Sequence, residues 1–264
     1  MSHRSYVRAL AIGAAGLTAA FSAPAAFAAS APAATTGQIS AAMASQESHG
    51  LHALTTLRSA TVSSTNWSGY AATGGSGSFT SVSASWTQPA VTCTSKATYS
   101  SFWVGLDGYS NSALEQTGTE ADCIGGRATY GAWWEVLPAS ESAYSVTVKA
   151  GDSLTASVAR NSSGTFTMTL TDSTQGWTKT TTHAGSSGYQ DSSAEVIAEA
   201  TEVNGRIANL SNFGTVSFKS ATANGTSLGS YSPTEIVMAG SSDTKAQPGS
   251  ISGGSFSDTW KNYT

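Results

Sequence analysis

The chain has 264 residues, of which 39% are hydrophobic and only 11% are charged, with 12 Lys and Arg against 16 Asp and Glu. A net charge of -4 with so few cations argues against a nucleic-acid partner, because phosphate binding needs clustered Lys or Arg. The 7 Trp, 9 Tyr and 8 Phe exceed what a disordered chain carries. Composition therefore predicts one globular domain rich in Gly, Ser and Thr.

The N-terminus, residues 1–28, has the pattern of an export signal. A basic start at His3, Arg4 and Arg8 precedes an apolar run, and Ala26-Phe27-Ala28 offers the small-x-small pattern that signal peptidases accept. The apolar run is too short for a transmembrane helix, which needs about 20 apolar residues. The alternative is a buried N-terminal helix. We predict a secreted, extracellular protein that does not associate with a membrane.

Residues 29–62 differ in composition from the rest of the chain. They mix Ala, Ser, Thr and Gln, and they lack the alternation of apolar and polar residues that begins later. A short helix is possible around residues 39–57. We interpret 29–62 as a leader or a removable pro-segment, followed by a single folded domain over residues 63–264.

Cys93 and Cys123 are the only two cysteines, so only one disulfide can form. An exported protein meets an oxidising environment, which favours the bond. Closing this loop would contribute roughly 3 to 4 kcal/mol on the chain-entropy estimate. A catalytic thiol is the competing interpretation, but His183, the sole late histidine, lies in a Thr-rich stretch without a recognisable partner motif.

Short alternating runs separated by Gly, Ser, Asn and Asp fill the chain from residue 66 onward. In 165–171, for example, Phe166, Met168 and Leu170 alternate with four threonines. Period-two alternation with β-branched and aromatic residues predicts half-buried strands, and about ten of them predict an all-β sandwich. The predicted strands are 79–86, 101–106, 128–137, 144–149, 153–159, 165–171, 177–182, 193–199, 216–219 and 234–238.

Strand alternation places Trp and carboxylate side chains on shared faces, because residues two apart project to the same side. Trp103 shares a face with Asp107, Trp133 shares one with Glu135, and Glu195 shares one with Ile197 and Glu199. Alternatively, each acid is a surface group exposed to solvent, and each Trp only packs against neighbouring side chains. Three strands with related chemistry favour a binding groove instead.

Common catalytic motifs are missing from the sequence. It has no G-x-S-x-G elbow, no H-E-x-x-H and no Cys/His spacing of the kind that binds metal, so we expect no metal and no cofactor. A Ser-His-Asp arrangement would depend on His183 alone. Where the D-T-G signature of aspartic peptidases might be sought, Gln116-Thr117-Gly118 has an amide instead of an acid.

Five motifs occur in the order Asn66-Trp67-Ser68-Gly69-Tyr70, Trp103-Val104-Gly105-Leu106-Asp107-Gly108, Leu114-Glu115-Gln116-Thr117-Gly118, Ala132-Trp133-Trp134-Glu135-Val136-Leu137-Pro138 and Ala194-Glu195-Val196-Ile197. With these motifs the chain resembles, from about residue 66 to the C-terminus, the glutamic peptidase (eqolisin) family, and within it the bacterial branch. This resemblance implies a concanavalin-like sandwich of two antiparallel sheets and a secreted acid endopeptidase, for which we expect protein or peptide substrates and a monomer.

By position, the resemblance makes Gln116 and Glu195 a catalytic dyad. Glu195 would take a proton from a water, and the Gln116 amide would donate to the oxygen of the tetrahedral intermediate. The groove residues around the dyad would be Trp103, Asp107, Trp133 and Glu135. A Glu base remains usable in acid, so we predict an acid optimum. Val196 is smaller than the residue that often follows the catalytic Glu in this family, which affects the expected substrate preference more than the chemistry.

Two other functions fit the same residues. A glycoside hydrolase on a similar sandwich would use two carboxylates such as Glu135 and Glu195. A lectin-like module would use the Trp and Tyr side chains as binding platforms, without turnover.

Overall fold

The computed structural model describes residues 47–52, the backbone of 55–58, and residues 61–264. The predicted export signal and most of the predicted leader lie outside the described residues. Within these ranges the chain forms 20 strands and one 3-10 helix, Leu228–Tyr231. The strands are β1 (Glu47–Ser48), β2 (Thr55–Arg58), β3 (Thr61–Ser64), β4 (Trp67–Thr73), β5 (Ser81–Thr87), β6 (Ser101–Leu106), β7 (Glu115–Ile124), β8 (Arg127–Val136), β9 (Ser142–Ala143), β10 (Ser153–Arg160), β11 (Thr165–Asp172), β12 (Trp177–Ala184), β13 (Ser193–Glu199), β14 (Glu202–Val203), β15 (Arg206–Ile207), β16 (Thr215–Ala223), β17 (Thr226–Ser227), β18 (Thr234–Ala239), β19 (Thr244–Pro248) and β20 (Phe256–Trp260).

Two large sheets pack face to face. The first, called the groove sheet below, has the strand order β2-β3-β18-β4-β13-β6-β7-β8-β9, in which only the β3–β18 pair is parallel. The second, called the hydroxyl sheet, has the order β20-β16-β5-β10-β11-β12 and is antiparallel throughout. Strand β19 pairs with β18 and with β20 and so connects the two sheets. The predicted all-β sandwich of two antiparallel sheets is confirmed.

Alternating apolar side chains from both sheets form the main core. On β11 the buried residues are Phe166, Met168 and Leu170, as the sequence pattern predicts. The groove sheet contributes residues of the opposite parity to Glu195, among them Val196 and Val104. Burial of these side chains stabilises the sandwich, at about 25 cal/mol for each Å² of apolar surface removed from water. The residues that alternate with these core residues along each strand project away from the core and form the outer face of each sheet.

The predicted strand boundaries agree best in the middle of the sandwich. Strands β6 and β13 begin and end where the sequence predicts. The run 144–149 was predicted as a strand but forms none; the nearest strand is the two-residue β9, which ends just before it. Here the Val146 N–H donates to the Tyr144 carbonyl, so the segment turns on itself instead of pairing along its length. Among the longer strands, β3, β4, β7, β19 and β20 were not predicted.

The proposed helix around residues 39–57 is wrong within the described residues. Residues 47–48 and 55–58 are extended and pair with β14 and β3 respectively. Ala-poor, Thr-rich sequence such as Thr55–Arg58 favours strand pairing when a partner is available, because β-branched residues fit the pleated surface better than a helix. In the described part of the chain, no helix has the length and apolar character needed to span a bilayer.

The predicted disulfide is present. Cys93 and Cys123 are bonded, with their Cα atoms 5.4 Å apart. The bond ties the loop that follows β5 of the hydroxyl sheet to β7 of the groove sheet. Since neither cysteine is free, the alternative of a catalytic thiol is wrong.

Candidate active site

The candidate site lies on the outer face of the groove sheet, where one row of paired residues crosses four strands. Glu195 of β13 is opposite Gly105 of β6, Gly105 is opposite Gln116 of β7, and Gln116 is opposite Glu135 of β8. Directly paired residues project to the same face of a sheet. At a strand spacing of about 4.8 Å, the backbones at 195 and 116 are about 10 Å apart. Side chains leaning toward each other over Gly105 can share one small molecule.

Gly105 keeps the space between Glu195 and Gln116 free of a side chain. A methyl group at this position would lie 2.9 Å from both Leu114 Cδ1 and Trp103 Cζ3, and 3.3 Å from Gln116 Cβ. These distances are shorter than normal carbon–carbon contacts. The sequence places Gly105 on this face but gives it no role; its role becomes visible only once β13 and β7 are known to flank β6.

The Gln116 amide is oriented by Glu135. Gln116 Nε2 donates to Glu135 Oε2 at 2.6 Å, which directs the amide nitrogen toward β8 and leaves its second hydrogen available. Gln116 Oε1 and Glu135 Oε1 have no hydrogen-bond partner among the described residues, although both side chains are fully buried. Buried polar atoms are normally paired, so these two oxygens are free to accept hydrogen bonds from a water or a ligand.

Glu195 is fully buried, and neither of its carboxyl oxygens makes a hydrogen bond of standard geometry within the described part of the chain. Burial raises the pKa of this carboxyl group well above its usual value. The nearby Ser193 hydroxyl acts in the opposite direction, while Asp107 and Glu115 add to the increase in the pKa. The described arrangement therefore favours a protonated Glu195 in acid.

Burial also controls the pKa values of the neighbouring acids. It raises the pKa of Glu135 to about 8; His49 opposes this increase, and Glu199 and Glu141 add to it. Burial raises the pKa of Glu115 to about 7, against hydrogen bonds from Ser186. The groove is therefore lined with carboxyl groups that stay neutral through acid pH, when a carboxyl in water would be charged.

Three tryptophans form the floor of the site next to this row. Trp67, Trp103 and Trp133 are fully buried and pack with Ile197 in one cluster. Trp103 Nε1 donates to Glu199 Oε2 at 2.7 Å, and the Trp67 ring meets the Trp103 ring edge-on. Trp103, Trp133, Glu135 and Glu195 lie on one face of the groove sheet, and their roles as site residues stay a prediction. Trp67 was not predicted as a site residue, although its motif belongs to the family resemblance.

Asp107 lies at the end of this face and holds a loop. Its side chain accepts hydrogen bonds from the backbone N–H groups of 190, 191 and 192, at 2.8 to 2.9 Å, and from the side chains of Asn111 and Ser192. Its backbone has a positive φ of 67°. These contacts fix the loop that leads into β13, and hence the position of Glu195. Asp107 is thus a positioning residue in this structure, where a groove residue was predicted.

A segment that the sequence assigned to the leader lies on the site. We call residues 47–52 the strap. The His49 ring stacks on the Trp133 ring, with centroids 4.0 Å apart and planes 6° apart. The His49 backbone N–H donates to Glu135 Oε2 at 3.2 Å, the same oxygen that Gln116 binds. No local signal in the sequence could have revealed these contacts, since 86 residues separate His49 from Glu135.

Among the described residues, one group has the spacing of metal ligands. The carboxyl groups of Glu47, Glu120 and Asp122 lie within 4.8 Å of one another. Burial raises the pKa values of Glu120 and Asp122 well above normal, and their neighbouring acids raise them further. The group offers oxygen ligands only, the kind that hard cations such as Ca²⁺ bind, and without a cation burial favours the neutral forms of Glu120 and Asp122.

The chain is similar to curated and solved glutamic peptidases. It is 31% identical to Aspergillopepsin-2 of Aspergillus niger over 168 residues, which is 61% of this chain and 58% of that protein's length. A crystal structure of scytalido-glutamic peptidase with a transition state analog inhibitor aligns with a TM-score of 0.64 at 26% identity, covering 75% of this chain and 98% of that one.

Two further structures align over most of their length. SCP-B, a member of the eqolisin family of peptidases in a complex with the tripeptide Ala-Ile-His, has a TM-score of 0.60 at 25% identity, covering 75% of this chain and 98% of that chain. Aspergilloglutamic peptidase from Aspergillus niger has a TM-score of 0.57 at 27% identity, covering 62% and 99% respectively. The model of the Peptidase A4 family matches residues 65–259, which include every strand of the row described above. The chain therefore belongs to the Peptidase A4 family of glutamic peptidases.

Proposed function

We propose that the chain is a secreted endopeptidase that hydrolyses peptide bonds with Gln116 and Glu195 and works best in acid. The observation that carries this proposal is the row Glu195–Gly105–Gln116–Glu135. In it, a buried carboxyl group and a buried amide face one gap and both have unpartnered polar atoms. Family membership supports peptides as the substrates and disfavours the sugar hydrolase and lectin-like alternatives.

In this mechanism Glu195, in its ionised form, accepts a proton from a water that attacks the carbonyl carbon of the scissile bond. The Gln116 hydrogen that is not bound by Glu135 donates to the carbonyl oxygen as it gains negative charge. An oxyanion donor of this kind contributes on the order of 3 to 4 kcal/mol to the transition state. Protonated Glu195 then passes its proton to the departing nitrogen, which leaves as an amine.

The carboxyl pKa values give the proposed pH dependence. Activity declines toward acid as Glu195 becomes protonated, and burial moves this decline to a higher pH than for a Glu in water. It declines again as pH rises through about 7 to 8, because Glu115 and Glu135 then ionise and place negative charge beside Glu195 and the oxyanion. Between these limits the base is available and its neighbours are neutral, so the optimum lies on the acid side of neutrality.

The test is protein digestion measured from strong acid to mild alkali with secreted material, whose N-terminus is sequenced at the same time. We expect Glu195→Gln and Gln116→Ala each to lower kcat/KM by at least about 10²-fold, while Thr169→Ala on the hydroxyl sheet leaves it unchanged. Activity that survives both changes, or that peaks above pH 8, would rule the mechanism out. Loss with Glu135→Gln but not with Gln116→Ala, on a polysaccharide substrate, would favour a sugar hydrolase.

A further inference from the structure

Lys245 is a buried lysine on β19, the strand that connects the two sheets. Residues two apart along a strand project to the same side, so Lys245 shares its side of β19 with Gln247. Gln247 is exposed, whereas Lys245 is only 5% exposed. The backbone N–H groups of Lys261 and Asn262 both donate to the Lys245 carbonyl, so the C-terminal segment packs along β19 at this point. A lysine is seldom buried to this extent unless its charge is paired.

The Lys245 ammonium has one hydrogen-bond acceptor among the described residues. Nζ donates to the Thr65 carbonyl at 3.2 Å. An ammonium has three N–H groups, so two of them remain available. The ion pairs between described residues join acids to His49, His52 and Arg160, and Lys245 takes part in none of them. Lys245 is therefore a buried cation that receives no counter-charge from the described part of the chain.

Lys245 and Thr65 both line an open cavity of about 370 Å³. The other side chains of its wall are mainly small and aliphatic, with two polar ones among them: Ile207, Ala208, Ala239, Asn209 and Ser241. None of the lining residues is an Asp or a Glu. Small-molecule sites begin at about 300 Å³, so this volume is sufficient for a ligand of several carbon atoms. The cavity thus offers aliphatic walls, hydrogen-bond donors and one cation.

We propose that this cavity is a binding site for an aliphatic carboxylate. The carboxylate oxygens accept the two available N–H groups of Lys245, and the hydrocarbon part lies against Ile207, Ala208 and Ala239. Two sources present this chemistry, namely a free aliphatic acid and the C-terminal carboxylate of a peptide whose last residue is aliphatic. The cavity shares no lining residue with the row Glu195–Gly105–Gln116–Glu135, so the proposal goes beyond the proposed function and does not depend on it.

The cost of burying a charge supports an anion as the ligand. Burial lowers the pKa of Lys245 to about 8, so the side chain is still cationic in acid and close to neutrality. A cation removed from water is destabilising unless an opposite charge offsets the lost hydration. An aliphatic carboxylate supplies this charge and also covers the apolar wall of the cavity. A neutral amide of the same length covers the wall but leaves the charge of Lys245 unpaired.

The first test measures the Tm of the unchanged full chain at about pH 6 with increasing concentrations of hexanoate, which is ionised at this pH. Hexanamide has the same length without the charge and is the matched control. We expect hexanoate to raise the Tm by about 5 °C at about 100 times its Kd, and hexanamide to bind at least about tenfold more weakly. Equal shifts with the two compounds, or no shift with hexanoate, would overturn the proposal.

Two full-chain variants assign the effect to Lys245. Lys245→Met keeps a long unbranched side chain and removes the charge, so hexanoate and hexanamide should then give equal, small shifts in Tm. Lys261→Met removes an exposed lysine of the neighbouring segment and should leave the hexanoate shift unchanged. A preference for hexanoate that survives Lys245→Met would contradict the proposal. The comparison of the two compounds needs no variant, so it tests the proposal even if Lys245→Met does not fold.

The third experiment distinguishes the two sources of the carboxylate. It uses the full chain with Glu195→Gln, so that peptides are not hydrolysed, and compares hexanoate with acetyl-Gly-Gly-Leu and with the C-terminal amide of that peptide. Tighter binding of the peptide acid than of hexanoate and of the amide would identify peptide ends as the ligand, and the reverse order would identify free acids. Hexanoate should also leave kcat/KM for protein digestion by the unchanged chain unaltered. Competitive inhibition by hexanoate would place it in the groove and overturn the proposal.

Discussion

The two sheets share one core but have very different outer faces. On the hydroxyl sheet the outer residues of β11 and β12 form a ladder, in which Thr167, Thr169 and Thr171 of β11 each contact a Thr hydroxyl of β12 at 3.0 to 3.3 Å. Ser85–Thr155 and Ser217–Ser257 continue these pairs across neighbouring strands. The outer face of the groove sheet carries instead three buried Trp, several buried carboxyl groups and a Gln.

The outer face of the hydroxyl sheet contributes to stability, whereas the outer face of the groove sheet holds groups suited to proton transfer. Hydroxyl pairs satisfy each other and do not titrate between acid and neutral pH, so one face contributes the same at every working pH. Buried carboxyl groups are costly when charged and change with pH, which makes them useful for proton transfer. The outer face of the groove sheet therefore holds buried carboxyl groups, whereas the outer face of the hydroxyl sheet holds neutral hydroxyl pairs.

The largest expected effect concerns pH and stability. Burial raises the folded-state pKa of Glu135 to about 8 and of Glu115 to about 7, so the folded state holds protons that the unfolded chain releases. Their stabilisation is complete below about pH 4.5 and is lost as pH rises through 7 to 8. For Glu135 the shift corresponds to about 4 to 5 kcal/mol. Urea unfolding at several pH values measures it.

Two variants sharpen this prediction. Glu135→Gln should flatten the fall in the free energy of unfolding above pH 6. Asp258→Asn on β20 should also flatten it, because burial raises the pKa of Asp258 to about 7 as well. A free energy of unfolding that stays constant or increases from pH 5 to pH 9 would contradict the conclusion that these buried carboxyl groups are neutral in the folded state.

The second-largest expected effect on stability comes from removing the disulfide. Replacing both Cys93 and Cys123 by Ser should lower the free energy of unfolding by about 3 to 4 kcal/mol, because the unfolded chain gains loop entropy. The loss should be the same at pH 4 and pH 7, unlike that of the carboxyl groups. Thermal unfolding at both pH values checks it, and a loss that appears at only one pH would show that the bond acts through the site.

Gly105→Ala tests the gap in the catalytic row. The added methyl group would lie 2.9 Å from Trp103 Cζ3 and must push the groove residues apart. We expect kcat/KM to fall by about 10²-fold, as small misplacements in active sites do. Gly75→Ala is the matched control, because a methyl group there meets nothing within 4 Å. Equal effects of the two changes would mean that the space at Gly105 is not needed for activity.

The smallest effect is expected on the hydroxyl sheet. Thr169→Val keeps the shape of the side chain and removes its hydroxyl, so the contact with Thr180 is lost. We expect a loss below about 1 kcal/mol and no change in kcat/KM. A double-mutant cycle with Thr180→Val measures the pair, and an effect on activity would show that the two faces are not independent.

The alternation of apolar residues predicted most of the hydroxyl sheet, because strands such as β5, β10 and β11 are apolar on one side and polar on the other. The same rule failed on β7, where Glu115, Gln116, Thr117 and Thr119 are all buried. A strand with neighbours on both sides and buried on both faces does not show period two. Gln116 was therefore identified by the family resemblance, since its own strand carries no recognisable pattern.

The sequence by itself determined the sandwich, the disulfide and the faces on which Trp103, Trp133, Glu135 and Glu195 lie, because these depend on alternation within one strand and on there being only two cysteines. Tertiary structure alone decided that Gly105 separates Glu195 from Gln116 and that the strap lies on the site. His49 meets Glu135 across 86 residues of sequence and Glu199 across 150. Contacts over such separations arise from strand order and packing, and local sequence patterns carry no record of them.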